Sequence, residues 1–204
     1  MKNISFNRGM TLAEIVVVIG ILGIIMLAIS SFQVNIFKNN KFSMESLSSA
    51  QDARSILRTM IRELRSTSPS NNGSYAIITA ATNTLSFYSD TDGDALKEKI
   101  RYYISSSTLM KGSIVPSGNP LTYNSANEKF YTLAYNVKTA TSSSLFEYFD
   151  SDYSGISTPL TQPVSFTNIH LIKINLLIDS DPNRVPNSRT YTTQVNLRNL
   201  KDNL

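Results

Sequence analysis

The sequence feature that most constrains this chain is an unbroken apolar run near its N-terminus, from Ile15 to Ile29. Between Met10 and Phe32 the only charged residue is Glu14. A helix of about 20 residues, rising about 1.5 Å per residue, crosses a hydrocarbon core about 30 Å thick. Residues 10–32 are therefore predicted to form a membrane-spanning helix.

The charges around the run predict its orientation and single out one acid. Lys2 and Arg8 precede the run, and the first nine residues contain no Asp or Glu. The positive-inside rule therefore places the N-terminus in the cytoplasm and the rest of the chain across the membrane. A carboxylate deep in a membrane segment costs about 2.5–3.5 kcal/mol on insertion scales, so Glu14 is expected to have a functional partner.

Three interpretations of this N-terminus compete. A secretory signal peptide would be cleaved after the small residues of Ala28–Ser30. A plain single-pass anchor would keep the segment. Both of these leave Glu14 without a role. The third interpretation assigns Glu14 a role through the residues that precede the run.

Those residues, Arg8-Gly-Met-Thr-Leu-Ala-Glu14, resemble the class III signal of type IV pilins and type II secretion pseudopilins. A basic leader, a Gly, a Glu five positions later and an apolar helix together are far more specific than a lone short motif. The resemblance implies that a prepilin peptidase cleaves between Gly9 and Met10 and that the new N-terminus at Met10 is methylated. It also implies that Glu14 is the assembly residue. Met10 departs from the family pattern, in which Phe is commonest at that position.

The same resemblance implies a function and a location. The chain would be a structural subunit of a type IV pilus or a type II secretion pseudopilus, with a leader over residues 1–9. Its partners would be prepilin peptidase, other pilin or pseudopilin subunits and the inner membrane. It would be held there as a single-pass protein before entering an extracytoplasmic filament. The length of the chain and the hairpin motif at Phe87–Ile104 resemble a minor pilin or a J/W-type minor pseudopilin.

Beyond the apolar run, apolar residues recur every three or four positions, which predicts an amphipathic helix. No proline occurs before Pro69, so one helix from Thr11 to Arg65 is expected, with residues 33–67 as its amphipathic part. The apolar stripe comprises Met44, Leu47, Ala50, Ala53, Leu57, Met60, Ile61 and Leu64. The opposite face is expected to carry Glu45, Asp52, Arg58, Arg62 and Glu63.

Residues 68–204 change to a period of two, with β-branched and aromatic residues between turn clusters, which predicts antiparallel strands. The fold class is therefore predicted to be α+β, with the long N-terminal helix packed on one face of a meandering antiparallel β-sheet, as in pilins. The predicted strands are Tyr75–Thr79, Thr84–Ser89, Lys99–Ser105, Thr108–Val115, Tyr131–Lys138, Leu145–Phe149, Ile169–Asp179 and Arg189–Leu197.

Composition argues against an enzyme. The 204 residues include no Cys and one His, so thiolate chemistry is excluded and few metal or imidazole sites can be built. No nucleophile or phosphate-binding motif is present. The formal charge of +4, with 19 basic and 15 acidic residues, is too even to indicate nucleic acid as a partner. A membrane-tethered adhesin or DNA-capturing receptor is the alternative hypothesis.

One acidic segment is a candidate metal site. Asp90, Asp92 and Asp94 alternate along a turn and can wrap a hard cation such as Ca²⁺, although a plain hairpin loop explains them as well. The segment is not an EF-hand, which needs Gly where Ala95 stands and Glu where Arg101 stands. No other cofactor is expected.

Two further acidic segments, Asp150–Asp152 and Asp179–Asn183, are expected to be solvated turns. The single histidine, His170, lies on one alternating face of a predicted central strand. It is expected to be half-buried and hydrogen-bonded.

Overall fold

The computed structural model describes residues 9–138, 144–179 and 188–197. The chain divides into two compact units, Met1–Ser46 and Leu47–Leu204. The helix α1 (Leu12–Arg65) supplies the described helical part of the first unit and opens the second. Its length confirms the single uninterrupted helix predicted from the absence of proline.

In the first unit, every described residue from Gly9 to Lys41 is exposed. Asn39 and Phe42 are not without interaction partners. Lys41 Nζ lies 3.7 Å from Glu45 Oε1, one turn further along the helix. Such exposed pairs contribute little to stability. The helix in this unit is therefore held by its own backbone hydrogen bonds and not by a core.

The second unit contains two antiparallel sheets, where the sequence predicted one. The first has five strands in chain order: β1 (Ile77–Ala80), β2 (Thr84–Ser89), β3 (Glu98–Ser105), β4 (Thr108–Ile114) and β5 (Lys129–Ala134). The second has the order β6 (Phe146–Phe149), β7 (Leu171–Asp179) and β8 (Ser188–Asn196). Single-turn 3-10 helices lie at Ser125–Asn127 and Phe166–Asn168.

The division into two sheets arises after β5, which ends at Ala134 and does not continue to Lys138 as predicted. Asn136 adopts a positive φ of 55°, a conformation that Asn tolerates better than most residues. Val137 then forms a bridge with Ile178 of the second sheet. The turn at Asn136 thus carries the chain from one sheet to the other.

The core of this unit lies between α1 and the sheets. From Ala53 onward the apolar stripe is buried, with Ile61 partly so, whereas Met44 and Leu47 are exposed. Large fully buried side chains come from both sheets. The core cluster includes Ala53, Leu57, Met60 and Leu64 of α1, Leu85, Phe87, Ile100, Tyr102 and Leu109 of the first sheet, and Phe146, Tyr148, Ile172, Ile174 and Leu176 of the second. An α+β layout is therefore present.

The prediction that Glu63 lies on the solvent face of α1 is wrong, because Glu63 is only 3% exposed. The Tyr102 hydroxyl donates to Oε2 of Glu63 at 2.6 Å, and Lys111 Nζ lies 2.6 Å from Oε1. These two donors on the sheet compensate the carboxylate for the loss of water. Burial, reinforced by the nearby Glu63 charge, raises the pKa of Tyr102.

The prediction that Asp179 lies in a solvated turn is also wrong. It ends β7, is buried, and forms an ion pair with Lys138. The rest of that acidic segment lies outside the described residues. In the other acidic turn, the Asp152 N–H donates to Asp150 Oδ1 at 3.1 Å, as expected of a polar turn.

His170 is half-buried and directly precedes β7, the central strand of its sheet. Its backbone N–H donates to the Phe149 carbonyl at 2.9 Å. Within the described part of the chain, the imidazole itself has no hydrogen-bond partner, so the predicted side-chain hydrogen bond is not found.

Candidate functional site

The predicted cleavage segment lies outside α1. Gly9 and Met10 are exposed and precede the first helical residue, Leu12. A Cβ added at Gly9 would meet no atom within 4 Å. Nothing in the described chain therefore requires glycine at this position. Lys2 and Arg8 lie outside the described residues.

Thr11 and Glu14 form a capping box at the start of α1. Glu14 Oε2 accepts hydrogen bonds from the Thr11 N–H at 2.8 Å and from the Thr11 hydroxyl at 2.9 Å. In return, the Glu14 N–H donates to Thr11 Oγ1 at 3.3 Å. These reciprocal bonds satisfy backbone donors that a helix N-terminus leaves free. The sequence contains this signal as Thr-x-x-Glu, which the place of Glu14 at the edge of a membrane segment does not by itself predict.

The helix surface that follows is apolar on all sides. Every large apolar side chain from Leu12 to Phe37 is exposed in the structure. By length and composition, α1 is the one helix in the described ranges that is able to cross a membrane. A helix that is hydrophobic around its whole circumference is covered by lipid or by other protein. This surface is therefore a candidate for both environments.

Two glycines interrupt this apolar surface. A Cβ added at Gly20 or Gly23 would meet no atom within 4 Å. Glycine in a helix interior costs about 0.5–1 kcal/mol relative to alanine, and this chain does not use the space that the two glycines leave. They lie one turn apart on the exposed helix, at a place where a second helix is able to approach closely.

The exposed face of α1 in the second unit is basic. Arg54, Arg58, Arg62 and Arg65 are exposed, and none has an ion pair with a described residue. At about 100° per residue the four side chains fall within an arc of about 80°. They form one continuous stripe of positive charge, which we call the arginine stripe.

The structure brings together the three predicted metal ligands. Asp90, Asp92 and Asp94 lie in the loop that joins β2 to β3, and one carboxylate oxygen from each falls within 4.8 Å of the others. The loop is ordered by its own amides. Asp90 Oδ1 accepts from the Gly93 N–H at 2.6 Å, and Asp94 Oδ1 accepts from the Leu96 N–H at 2.8 Å. The predicted hairpin is confirmed.

Two open depressions lie elsewhere in the second unit. One, of about 470 Å³, is lined by Asp52 and Ile56 of α1, by Tyr135 just after β5 and by Asp179 at the end of β7. The other, of about 510 Å³, is lined by Asp150, His170, Gln194 and Asn196. No hydrogen bond between a described acid and the His170 imidazole builds an acid–base pair there.

The described residues offer four candidate functional features: the N-terminal segment, the apolar surface, the arginine stripe and the loop of Asp90, Asp92 and Asp94, which we call the Asp loop. Gly9, Met10 and Glu14 belong to the first unit, whereas Asp90, Asp92 and Asp94 belong to the second. No family model matches the sequence, and no curated protein is significantly similar to it.

Proposed function

We propose that this chain is a structural subunit of a type IV pilus or a type II secretion pseudopilus, of the minor pilin or minor pseudopilin kind. Prepilin peptidase removes residues 1–9 in the inner membrane, and the mature chain then assembles through the first part of α1. The subunit is stored as a single-pass membrane protein and works in an extracytoplasmic filament. Its activity is assembly and not catalysis.

The observation that carries this proposal is the uncovered apolar surface from Leu12 to Phe37 on an uninterrupted helix. Lipid covers such a surface in the membrane, and neighbouring helices cover it in a filament. Extraction of the subunit from the membrane replaces lipid contacts with contacts to neighbouring helices, so the apolar area that is covered changes little. Gly20 and Gly23 supply the close approach that helix packing without a strong hydrophobic driving force needs.

The two candidate cleavage sites, after Ser30 and after Gly9, differ in their local structure. The helix passes through this segment without interruption, and the Ser31 hydroxyl donates to the Ala28 carbonyl at 2.9 Å. Cleavage there would cut the helix in its interior. The bond after Gly9, by contrast, lies in exposed chain, and the glycine there has no role within the described chain. Recognition by a peptidase gives it one.

Glu14 has a local and an intermolecular role in this proposal. Locally it caps the helix through Oε2, and Oε1 has no hydrogen-bond partner in the described ranges. Among apolar helices an unpaired carboxylate is costly. The α-amino group that cleavage creates at Met10, on the same or an adjacent subunit, is the natural partner. This ion pair would stabilise the filament only when neighbouring subunits are in the correct axial register.

The first experiment is mass spectrometry of the mature protein isolated from membranes of its native host. The expected mature chain begins at Met10 and carries a methyl group on its α-amino nitrogen. Replacing Gly9 with a bulky residue should block processing. A mature chain that begins near Ser31 would show that the signal-peptide interpretation is correct and that the filament proposal is wrong.

A second experiment separates the two roles of Glu14. Glu14→Gln keeps a side chain that can complete the capping box but removes the charge, whereas Thr11→Val removes the cap partner and keeps the charge. We expect Glu14→Gln and Glu14→Val to be inserted and processed but to be absent from sheared filaments. Thr11→Val should still assemble. Normal assembly of Glu14→Gln would contradict a role for the charge.

The arginine stripe favours one alternative, a membrane-tethered receptor that captures DNA. Four exposed arginines, about one helical turn apart and without an ion pair to a described residue, can contact successive phosphates. The test is salt-dependent binding of duplex DNA by the full-length protein in non-ionic detergent. Under the filament proposal, Arg58→Gln together with Arg62→Gln leaves DNA binding unchanged. A clear loss of affinity and of salt dependence in this variant would favour the receptor.

A further inference from the structure

A third cavity, of about 270 Å³, lies on the face of the first sheet that is opposite to the core. On β3, Ile100 and Tyr102 belong to the core, so Lys99 and Arg101, which alternate with them, lie on the opposite face. Both of these basic residues line the cavity. The cavity shares no lining residue with the two depressions described above.

The neighbouring strands add hydroxyl groups to the same face. Ser86 of β2 is the cross-strand partner of Arg101, and Thr79 of β1 is the partner of Ser86. Directly opposed residues share a sheet face, so Ser86 and Thr79 lie on the face of Lys99 and Arg101. Both line the cavity, as does Ser125 in the connection between β4 and β5. Three hydroxyl-bearing residues and two basic residues therefore border one cavity.

Most of these polar groups have no partner within the described chain. Ser86 is only 3% exposed, yet its hydroxyl forms no hydrogen bond to a described residue. The hydroxyls of Thr79 and Ser125 form none either, and half-buried Lys99 has no ion pair in the described ranges. A buried hydroxyl without a hydrogen bond is costly, and a desolvated ammonium group requires an anion.

Arg101 differs from Lys99, because its charge is already compensated. Its Nε and Nη2 donate to Oε1 and Oε2 of Glu128, each at 3.0 Å. The approach of this carboxylate to the sheet requires a glycine, since a Cβ at Gly112 would clash with Glu128. Glu128 is the one acid among the described residues that line the cavity. The positive charge of Lys99 is therefore left uncompensated.

We propose that this cavity binds a phosphate group, with the Lys99 ammonium group as the charged donor and the Ser86 and Thr79 hydroxyls as further donors. An arginine fork favours a planar carboxylate, but Glu128 already occupies the fork of Arg101. Lysine binds phosphate as a point charge, and hydroxyls can donate to its remaining oxygens.

The size of the cavity limits the ligand. Its volume of about 270 Å³ lies just below the range of about 300–1,000 Å³ that is typical of small-molecule cavities. The phosphate group is therefore that of free phosphate or of a small phosphate monoester. This site does not depend on the filament proposal.

The test uses the full-length protein in non-ionic detergent and a phosphate-free buffer at constant ionic strength. Inorganic phosphate should bind saturably in isothermal titration calorimetry, and it should raise the Tm because it binds the folded state. Chloride at the same ionic strength should not raise the Tm. The absence of both a binding heat and a Tm change at about 20 mM phosphate would overturn the proposal.

A pair of lysine variants tests whether the response comes from this cavity. Lys99→Gln removes the charged donor and should weaken phosphate binding about tenfold or more. The matched control is Lys129→Gln, which makes the same charge change at an exposed position on β5 of the same sheet and should leave the affinity unchanged. Equal losses in the two variants would show a non-specific charge effect and overturn the proposal.

Two further variants distinguish binding from a structural role. Glu128→Gln leaves the Arg101 charge in the cavity without its carboxylate, so phosphate should bind about tenfold more tightly. Ser86→Ala should weaken binding about threefold or more, without lowering the Tm in the absence of phosphate, because its hydroxyl has no hydrogen bond to lose in the described chain. A loss of affinity in Glu128→Gln, or an unchanged affinity in Ser86→Ala, would contradict the assignment of the donors.

The source of the phosphate group is identified by comparing ligands. Tighter binding of glycerol 3-phosphate than of inorganic phosphate would identify a phosphate monoester as the ligand, and the reverse order would identify free phosphate. Either order supports a phosphate site. Binding of acetate as tightly as phosphate would overturn it, because a planar carboxylate would then suit the cavity equally well.

Discussion

The two parts of α1 use one continuous helix in opposite ways. From Leu12 to Ser46 its side chains are almost all exposed although most are apolar, whereas from Leu47 to Arg65 one face is buried and the other is charged. The first part has no core of its own, and its apolar surface is of the kind that lipid or other protein covers. The second part is a component of a folded domain. Helix continuity is therefore no guide to what stabilises each part.

Two of the acids of this helix show the same contrast. Glu14 is satisfied by Thr11, three residues away, and the bonds lie in exposed chain. Glu63 is satisfied by Tyr102 and Lys111, which are 39 and 48 residues away and belong to the sheet. A local partner leaves Glu14 available to other molecules, whereas distant partners commit Glu63 to the interior.

The largest expected effect comes from breaking the buried charge pair. Glu63→Leu leaves the Lys111 ammonium group without its carboxylate and the Tyr102 hydroxyl without its acceptor, which should cost about 3–5 kcal/mol in the free energy of unfolding. Denaturant unfolding followed by tyrosine fluorescence measures the loss. Glu63→Leu combined with Lys111→Met should recover most of it. A loss below about 1 kcal/mol in the single variant would contradict the compensation argument.

A slightly smaller effect is expected from a cavity in the apolar stripe. Met60 is fully buried, so Met60→Ala should destabilise the second unit by about 2–5 kcal/mol. Leu22 is 48% exposed, and Leu22→Ala should leave that unfolding transition unchanged. Both variants are measured by denaturant unfolding in non-ionic detergent. Equal shifts would show that the two parts of α1 are not distinct in stability.

Alkaline pH should weaken the second unit further. Burial raises the pKa of Tyr102 and Tyr148 above the ordinary value of 10.0. Above pH 10 the unfolded chain releases these protons while the folded chain keeps them, so stability is full below pH 10 and falls as pH rises. Each tyrosine contributes about 1.4 kcal/mol per pH unit in that window.

The check for this pH effect combines tyrosinate absorbance with circular dichroism. The two buried tyrosines should ionise only as the fold is lost. Tyr148→Phe should flatten the fall in stability above pH 10. Tyr135→Phe, at a position that is 70% exposed, should not change it. Ionisation of all tyrosines in the intact fold would contradict the prediction.

The smallest expected effect is at the start of the helix. Thr11→Val removes one partner of the capping box and should cost about 0.5–2 kcal/mol, confined to the first turn. Hydrogen exchange in detergent should be faster there and unchanged in the second unit. Ser31→Ala, which removes the bond to the Ala28 carbonyl, serves as the control and should leave the first turn protected. Unchanged protection in Thr11→Val would mean that the box contributes nothing.

The sequence by itself determined the features that depend on neighbours along the chain. The helix from Leu12 to Arg65 follows from a long segment without proline, and the strands follow from the period of two. The Asp loop was predictable as a hairpin because acidic turn residues with glycine separate two strands. The capping box was equally readable as Thr-x-x-Glu. Each is read from a pattern of residues that are close together in the sequence.

The tertiary structure alone decided the features that depend on distant partners. By periodicity, Glu63 belongs to the charged face of the helix. Only the hydrogen bonds from Tyr102 and Lys111 compensate the cost of burying its carboxylate. Glu98 opens a strand, and only the fold buries its carboxylate and supplies the two hydrogen bonds from Thr91. The separation into two sheets depends on the positive φ of Asn136 and on the bridge that Val137 forms with the second sheet. Periodicity reports which face a residue occupies, whereas burial of a charge depends on what the rest of the chain brings to that face.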